Sequence, residues 1–135
     1  MTNEESLKKL INEEINAAEE RLRVARILLN KSKYPDAVNR IYYSVFNATK
    51  AVLHSIGKDV KTHSGLMAEF GLHIIKEKKM DSKFGQILRQ TMEARESSDY
   101  KITAIFDKDE VKEMYDDAKD FLEEAKKFVK TSAYK

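Results

Sequence analysis

The sequence predicts an all-α protein, an up-and-down antiparallel bundle of about five helices, on three observations. Apolar residues recur at spacings of three and four along most of the 135 residues, which is the period of a helix with one buried face. Charged residues make up 36% of the chain, whereas Gly occurs 4 times and Pro once, too rarely for the many turns of a sheet protein. The segments that interrupt the period are short, which favours antiparallel neighbours.

The first two helices are predicted on either side of Pro35. The first runs from about Glu4 to Lys31, and Pro35 suits the opening turn of the second because its missing N–H has no intrahelical partner there. The second ends near Ile56, where Gly57 supplies the backbone freedom of a helix C-terminus. The core stripe of the second helix is predicted to be Val38, Ile41, Tyr42, Val45, Thr49, Val52 and Ile56.

Three further helices follow the same apolar period. The third is predicted from about Ser64 to Lys78, with Thr62 or Ser64 as its cap. The fourth is predicted over 82–100. The fifth begins after Asp107, a candidate cap, and keeps its period almost to the end of the sequence.

Composition excludes several classes of function. The 25 Lys and Arg exceed the 23 Asp and Glu by only two, too few for a global field that recruits nucleic acid or membrane. Residues 32–80 are locally basic, with 8 cationic and 4 acidic side chains, which fits either a phosphate-facing patch or a solvated surface. Without Cys there is no disulfide or thiolate chemistry. We expect a cytoplasmic protein that does not associate with membranes.

Arg95 and Asp99 are the charges that fit the predicted core least well. At 100° per residue both fall within the apolar stripe of the fourth helix. A buried charge is costly unless it is paired, and their spacing of four residues allows these two side chains to pair with each other. Alternatively, Arg95 lines a cleft and presents its guanidinium to a phosphate or carboxylate. The sequence leaves both interpretations open.

The second helix carries another stripe that is polar but almost uncharged. An ordinary solvated face would carry Lys and Glu, so this mixture indicates an interface or the wall of a groove. Its members are Arg40, Tyr43, Ser44, Asn47, Ala51 and His54. We predict ligand-binding roles for Arg40, Tyr43 and Asn47 from this stripe, together with Arg95 and Tyr100 from the fourth helix.

The three histidines indicate no metal site. His54, His63 and His73 lack a spacing that would bring two of them to one ion, and we predict neither a metal nor a cofactor. His63 precedes the third helix, where it is either a base that titrates near neutral pH or a side chain bonded to loop backbone.

Four segments resemble the HEPN superfamily, specifically the small proteins of the UPF0332 type, over most of the chain. They are Ala37–Phe46 in the second helix, Thr62–Gly65 before the third, Arg95–Tyr100 at the end of the fourth and Ala118–Phe121 in the fifth. The resemblance implies a single all-α bundle over residues 1–135, often homodimeric. It also implies a small nucleotidyltransferase partner in a toxin–antitoxin-like pair.

In its active branches the resemblance implies a metal-independent ribonuclease that carries Arg, four to six residues, then His. Arg95 matches that arginine, but Asp99 or Tyr100 stands in the place of the histidine. RNA cleavage needs a base, an acid and a cation, and an ordinary Asp with a pKa of about 3.9 serves poorly as base or donor near pH 7. The candidate catalytic residues are Arg95, Asp99, Tyr100 and His63.

The sequence therefore supports three hypotheses. The first is a dimeric HEPN-type module that binds a nucleotide, RNA or a partner nucleotidyltransferase with little or no catalysis. The second is a ribonuclease that uses Arg95 with a degenerate motif. The third is a structural protein in which Arg95, Asp99 and the second stripe make only packing and dimer contacts.

Overall fold

The computed structural model describes residues 2–100 and 105–132, and within these residues it contains five α-helices and no strand. The predicted all-α class is thus confirmed. The helices are α1 (Asn3–Asn30), α2 (Tyr34–Ser55), α3 (His63–Phe70), α4 (Ser82–Tyr100) and α5 (Lys108–Ser132), and a π-helical turn (Gly71–Ile75) follows α3.

Helix α2 lies at the centre of the bundle and runs antiparallel to α1. The Ser44 hydroxyl donates to the Ala18 carbonyl at 2.8 Å, and one turn further along α2 the Asn47 amide donates to Glu14 at 2.9 Å. Residue numbers therefore rise in α2 as they fall in α1. Ala18, Ser44, Ala48 and Ala51 are fully buried. Because Ser44, Asn47, Ala48 and Ala51 share one face of α2, small side chains let the two helices approach closely.

The predicted polar stripe of α2 is only partly a surface. Ser44, Ala51 and His54 are buried inside the chain, so the prediction of an interface or a groove wall is wrong for these three positions. The period alone could not reveal this, because α2 is covered by α1, α4 and α5 and therefore has more than one buried face.

The remaining helices complete an up-and-down arrangement. The Ser98 hydroxyl donates to the Pro35 carbonyl at 3.2 Å, which places the end of α4 beside the start of α2. Lys126 of α5 pairs with Glu19 of α1 at 3.2 Å. In the interior, the Phe121 ring centroid lies 5.6 Å from that of Phe70 and 5.8 Å from that of Phe84. None of the helices within the described residues is long and apolar enough to cross a bilayer.

The starts of α3 and α5 follow the predicted caps, but the predicted third helix needs a correction in its second half. The hydroxyl of Thr62 accepts from the Gly65 N–H at 3.0 Å, and the Asp107 carboxylate accepts from the Glu110 N–H at 2.8 Å. The predicted third helix is not α-helical throughout. After Phe70 the chain adopts a π-helical turn in which the Lys76 N–H bonds to the Gly71 carbonyl at 2.9 Å, an interval of five residues.

Candidate functional site

Arg95 and Asp99 form the ion pair that their spacing allows. Arg95 Nε lies 3.0 Å from Asp99 Oδ2, and 17% of the Arg95 side chain and 32% of the Asp99 side chain are exposed. The buried Nε–H group does not align with this oxygen and makes no hydrogen bond within the described residues. The contact is therefore electrostatic, at the partly open edge of the bundle.

The Arg95 guanidinium also covers two tyrosines of α2. Its Cζ atom lies 5.7 Å from the ring centroid of Tyr42 and 5.5 Å from that of Tyr43. A cation over an aromatic face is stabilised by the ring quadrupole, and more strongly where water is excluded. Tyr42 is fully buried and Tyr43 half-buried. The two rings thus add cation–π contacts to the Asp99 pair at this largely buried charge.

His63 joins the same group of side chains from the start of α3. The Thr62 cap fixes the position of this first helical residue, and the His63 Nδ1 atom makes a short hydrogen bond with the Tyr42 hydroxyl. The His63 ring centroid lies 4.8 Å from that of Phe46 and 5.5 Å from that of Tyr42. His63 is therefore satisfied by a side chain of α2 and not by loop backbone.

The environment fixes the protonation of this Tyr42–His63 pair. Burial raises the pKa of the Tyr42 hydroxyl well above its usual range, although nearby Arg95 opposes the shift, so the phenol stays protonated. Burial and then Arg95 lower the pKa of His63, which favours the neutral ring. A buried O–H needs an acceptor, and among the described residues only His63 Nδ1 accepts it. The His63 proton then resides on Nε2, as a hydrogen-bond donor.

Tyr43 has a second arginine neighbour, which belongs to α1. The Cζ atom of Arg21 lies 5.9 Å from the Tyr43 centroid, and its Nε donates to Asn47 Oδ1 at 2.9 Å. The Asn47 amide nitrogen in turn donates to Glu14. This arrangement sets the orientation of the Asn47 amide, because a flipped amide would place N–H against the arginine and oxygen against the carboxylate.

The structure gathers some of the sequence-predicted residues and not others. Tyr43, His63, Arg95 and Asp99 lie together. Asn47 is bonded on both sides to side chains of α1, in a positioning role beside them. Arg40 is exposed and lines a separate depression of about 310 Å³ between α1 and α2. Tyr100 ends α4, but its side chain lies outside the described part of the chain.

Two members of the site were not identified from the sequence. Tyr42 falls on the apolar stripe of α2, and only its hydroxyl distinguishes it from a core phenylalanine. Arg21 stands among Glu19, Glu20 and Arg23, which is typical of a solvated face. No local signal marks either residue, because each acquires its role from a partner more than 20 positions away. No group of three metal-ligating side chains occurs in residues 2–100 and 105–132.

Known proteins resemble this chain over most of its length. The family model of the HEPN domain matches residues 11–128. A candidate toxin of Methanocaldococcus jannaschii is 38% identical over 98 residues, which cover 70% of this chain and 73% of the relative. A UPF0332 protein of Thermotoga maritima is 32% identical over 112 residues, which cover 83% and 85%. A second candidate toxin of M. jannaschii is 30% identical over 122 residues, which cover 90% and 83%.

The matched region contains every described member of the site, from Arg21 to Asp99. It also contains the four segments on which the resemblance rests. The chain therefore belongs to the HEPN domain family, as a small protein of the UPF0332 type.

Proposed function

We propose that this protein is the toxin-type member of a toxin–antitoxin-like pair, and that it binds single-stranded RNA through a phosphate held by Arg95 and His63. The observation that carries the proposal is the Arg95 guanidinium over Tyr42 and Tyr43, in the same cluster as His63. Two of the relatives in this family are named as candidate toxins, which supports the biological setting.

The chemistry of the site suits an RNA phosphate. A guanidinium offers several N–H donors to phosphate oxygens, and a neutral imidazole with its proton on Nε2 adds one more. Half-buried aromatic rings beside a cation are typical of surfaces that bind single strands, where bases stack and phosphates are neutralised. Tyr43 and Phe46 supply such rings here.

The same geometry disfavours catalysis. Metal-independent cleavage needs a base to take the 2′-hydroxyl proton, and the one His63 nitrogen that has a lone pair already accepts the Tyr42 hydroxyl. Asp99, one of the two candidates for the place of the motif histidine, is engaged by Arg95. The arrangement supports binding with little or no turnover, and the ribonuclease alternative remains an outcome of the test.

The partners follow from the family setting and are part of the proposal. We expect a homodimer, and a small nucleotidyltransferase as the antitoxin-like partner. Sedimentation of the purified chain alone, and then mixed with a small nucleotidyltransferase from the same organism, tests both. A monomer that forms no complex would contradict this part of the proposal.

The main experiment follows anisotropy and cleavage of a labelled single-stranded RNA in the presence of chelator. Arg95→Ala is expected to weaken binding by about 10- to 150-fold, corresponding to the roughly 1.5–3 kcal/mol of a hydrogen bond to a charged group. Arg89→Ala is the matched control, because Arg89 lies on the same helix and is exposed.

Each outcome separates the hypotheses. Binding that depends on Arg95 without cleavage supports the proposal. Cleavage that depends on Arg95 establishes the ribonuclease alternative. If neither binding nor cleavage is observed, RNA is excluded as the ligand. That outcome favours a protein with only packing and partner contacts at these residues.

A further inference from the structure

We infer that Arg21 is a second phosphate-binding residue, and that Arg21 and Arg95 together hold two neighbouring phosphates of one RNA strand across Tyr43. This inference rests on the proposed function and adds to it the minimum length of the ligand. It concerns a residue of α1 that lies outside the motif on α4.

The two guanidinium groups share one aromatic ring. Both Cζ atoms lie within 6 Å of the Tyr43 centroid, although Arg21 comes from α1, Tyr43 from α2 and Arg95 from α4. Two like charges beside one ring repel each other, and an anionic ligand that bridges them relieves this repulsion. A nucleic-acid strand presents such charges at regular intervals along its backbone.

Arg21 is also available to an anion. Its neighbour Arg23 is engaged by Glu20, with two contacts at 2.6 Å. Arg21, in contrast, has no carboxylate within 4.0 Å among the described residues, and its one hydrogen bond there goes to the neutral amide of Asn47 through Nε. Four of the five guanidinium N–H donors therefore have no partner in that part of the chain.

The side chain is held in place before any ligand arrives. Asn47 accepts from Arg21, and the Glu14 carboxylate accepts from Asn47. Glu14 also lies 3.8 Å from Lys50, which partly neutralises it. A guanidinium fixed in this way loses less rotamer entropy on binding than a free surface arginine does. Asn47 is thus a positioning residue for Arg21.

The test compares the salt dependence of RNA binding in three proteins. The wild type, Arg21→Gln and Arg26→Gln are titrated into a labelled eight-nucleotide oligouridine at several salt concentrations. The side-chain amide introduced by Arg21→Gln can still donate to Asn47, so the substitution removes the charge while keeping that hydrogen bond. Arg26 is the matched control because it lies on the same helix with its Cζ atom 5.4 Å from the Tyr115 ring, on the side that faces α5.

The expected result is a change confined to Arg21→Gln. For a single strand the slope of log K against log salt should become shallower by about 0.7, which corresponds to one phosphate contact. Affinity should fall about tenfold at low salt, while Arg26→Gln behaves as the wild type. Competition adds a second readout, since a dinucleotide with a 5′-phosphate should lose affinity on Arg21→Gln and a dinucleotide with one phosphate should not.

The contrary results are distinct from failure of the proposed function. If Arg95→Ala abolishes binding but Arg21→Gln keeps the wild-type slope, the two-phosphate site is wrong and the RNA-binding proposal stands. If ADP competes as well as the two-phosphate dinucleotide, the pair of arginines recognises a nucleoside diphosphate and not a strand. If the wild type binds no oligouridine, the proposed function and this inference both fall.

Discussion

Arg95 interacts with a carboxylate and with two aromatic rings, and these contacts have different consequences for binding. Asp99 competes with an incoming phosphate for the guanidinium, whereas Tyr42 and Tyr43 leave its charge uncompensated. We therefore expect the Asp99→Asn variant to bind RNA several-fold more tightly than the wild type. The cost in stability should stay at about 1 kcal/mol, because the pair lies at the partly open edge of the bundle and Arg95 keeps its contacts with both tyrosine rings. Anisotropy and urea denaturation measure the two effects.

A similar pair on α5 provides the control for Asp99→Asn. Lys112 and Asp116 have the same spacing, lie 3.1 Å apart and are both more than half exposed. Asp116→Asn should leave RNA binding unchanged. Weaker binding by Asp99→Asn would contradict the competition and would mean that Asp99 orients Arg95 for the ligand.

His63 should make stability depend on pH. Its pKa is lowered in the folded protein by burial and by Arg95, while in the unfolded chain it has the usual value of about 6.5. Below that value the unfolded chain binds more protons than the folded one. The stability that the neutral His63 contributes is therefore fully present above about pH 6.5 and is lost as the pH falls toward the lowered pKa of His63 in the folded protein. Urea denaturation between pH 5 and 8 should therefore show the wild type losing stability relative to His63→Gln at acid pH. Parallel pH profiles would contradict this assignment.

At the scale of single elements, the start of α3 depends on the absence of a side chain at Gly65. A Cβ atom there would lie 2.7 Å from Thr62 Oγ1 and 3.0 Å from Val60 Cγ1, and would displace the capping hydroxyl. We expect Gly65→Ala to destabilise the protein by about 1 kcal/mol, the usual cost of losing a cap. Because His63 is the first residue of α3, RNA binding should weaken as well. Thermal unfolding and anisotropy test both expectations.

Gly71→Ala is the matched substitution in the same segment. A Cβ atom at Gly71 meets no described residue within 4 Å, and the φ of −60° at this position is ordinary for any residue. Without a clash, replacing a helical Gly by Ala is neutral or stabilises by up to about 1 kcal/mol. If Gly65→Ala proved as stable as Gly71→Ala, the Thr62 cap would not be what holds His63.

Most of the helices could be predicted because their signals are local. Helix α4 spans Ser82–Tyr100 as its apolar period predicts, and α5 begins after Asp107 as its capping pattern indicates. The π-helical turn from Gly71 to Ile75 has no such signal, because it depends on how the chain packs after Phe70. The burial of Ser44 and His54 likewise depends on how α2 packs against its neighbours, which the period of one helix does not show.

The site could be predicted only where one helix contains it. The Arg95–Asp99 pair follows from a spacing of four residues on α4. The Tyr42–His63 hydrogen bond joins residues 21 positions apart, and the contact of Arg21 with Tyr43 joins two helices. Such contacts are set by the packing of the bundle, and neither composition nor period contains that information.

At the scale of the whole molecule, the close approach of α1 and α2 sets the limits of substitution. Ala48 is fully buried on the same face as Ser44, which bonds to α1. Ala48→Leu would overpack this contact and should cost about 1–3 kcal/mol, seen as a lower urea midpoint. Ala68→Leu is the control, because Ala68 is exposed on α3 and should change stability by less than about 0.5 kcal/mol. Equal midpoints for the two variants would contradict close packing here.

Because Arg21, Tyr43, His63 and Arg95 come from four different helices, the site exists only while the bundle is assembled. A ligand that binds there must then stabilise the folded state. The free energy of unfolding rises by about 2.7 kcal/mol at a ligand concentration one hundred times Kd. A protease that cleaves the unfolded chain should therefore degrade the RNA-bound protein more slowly than the free one. In a cell, the lifetime of the protein would then depend on how much of its target is present.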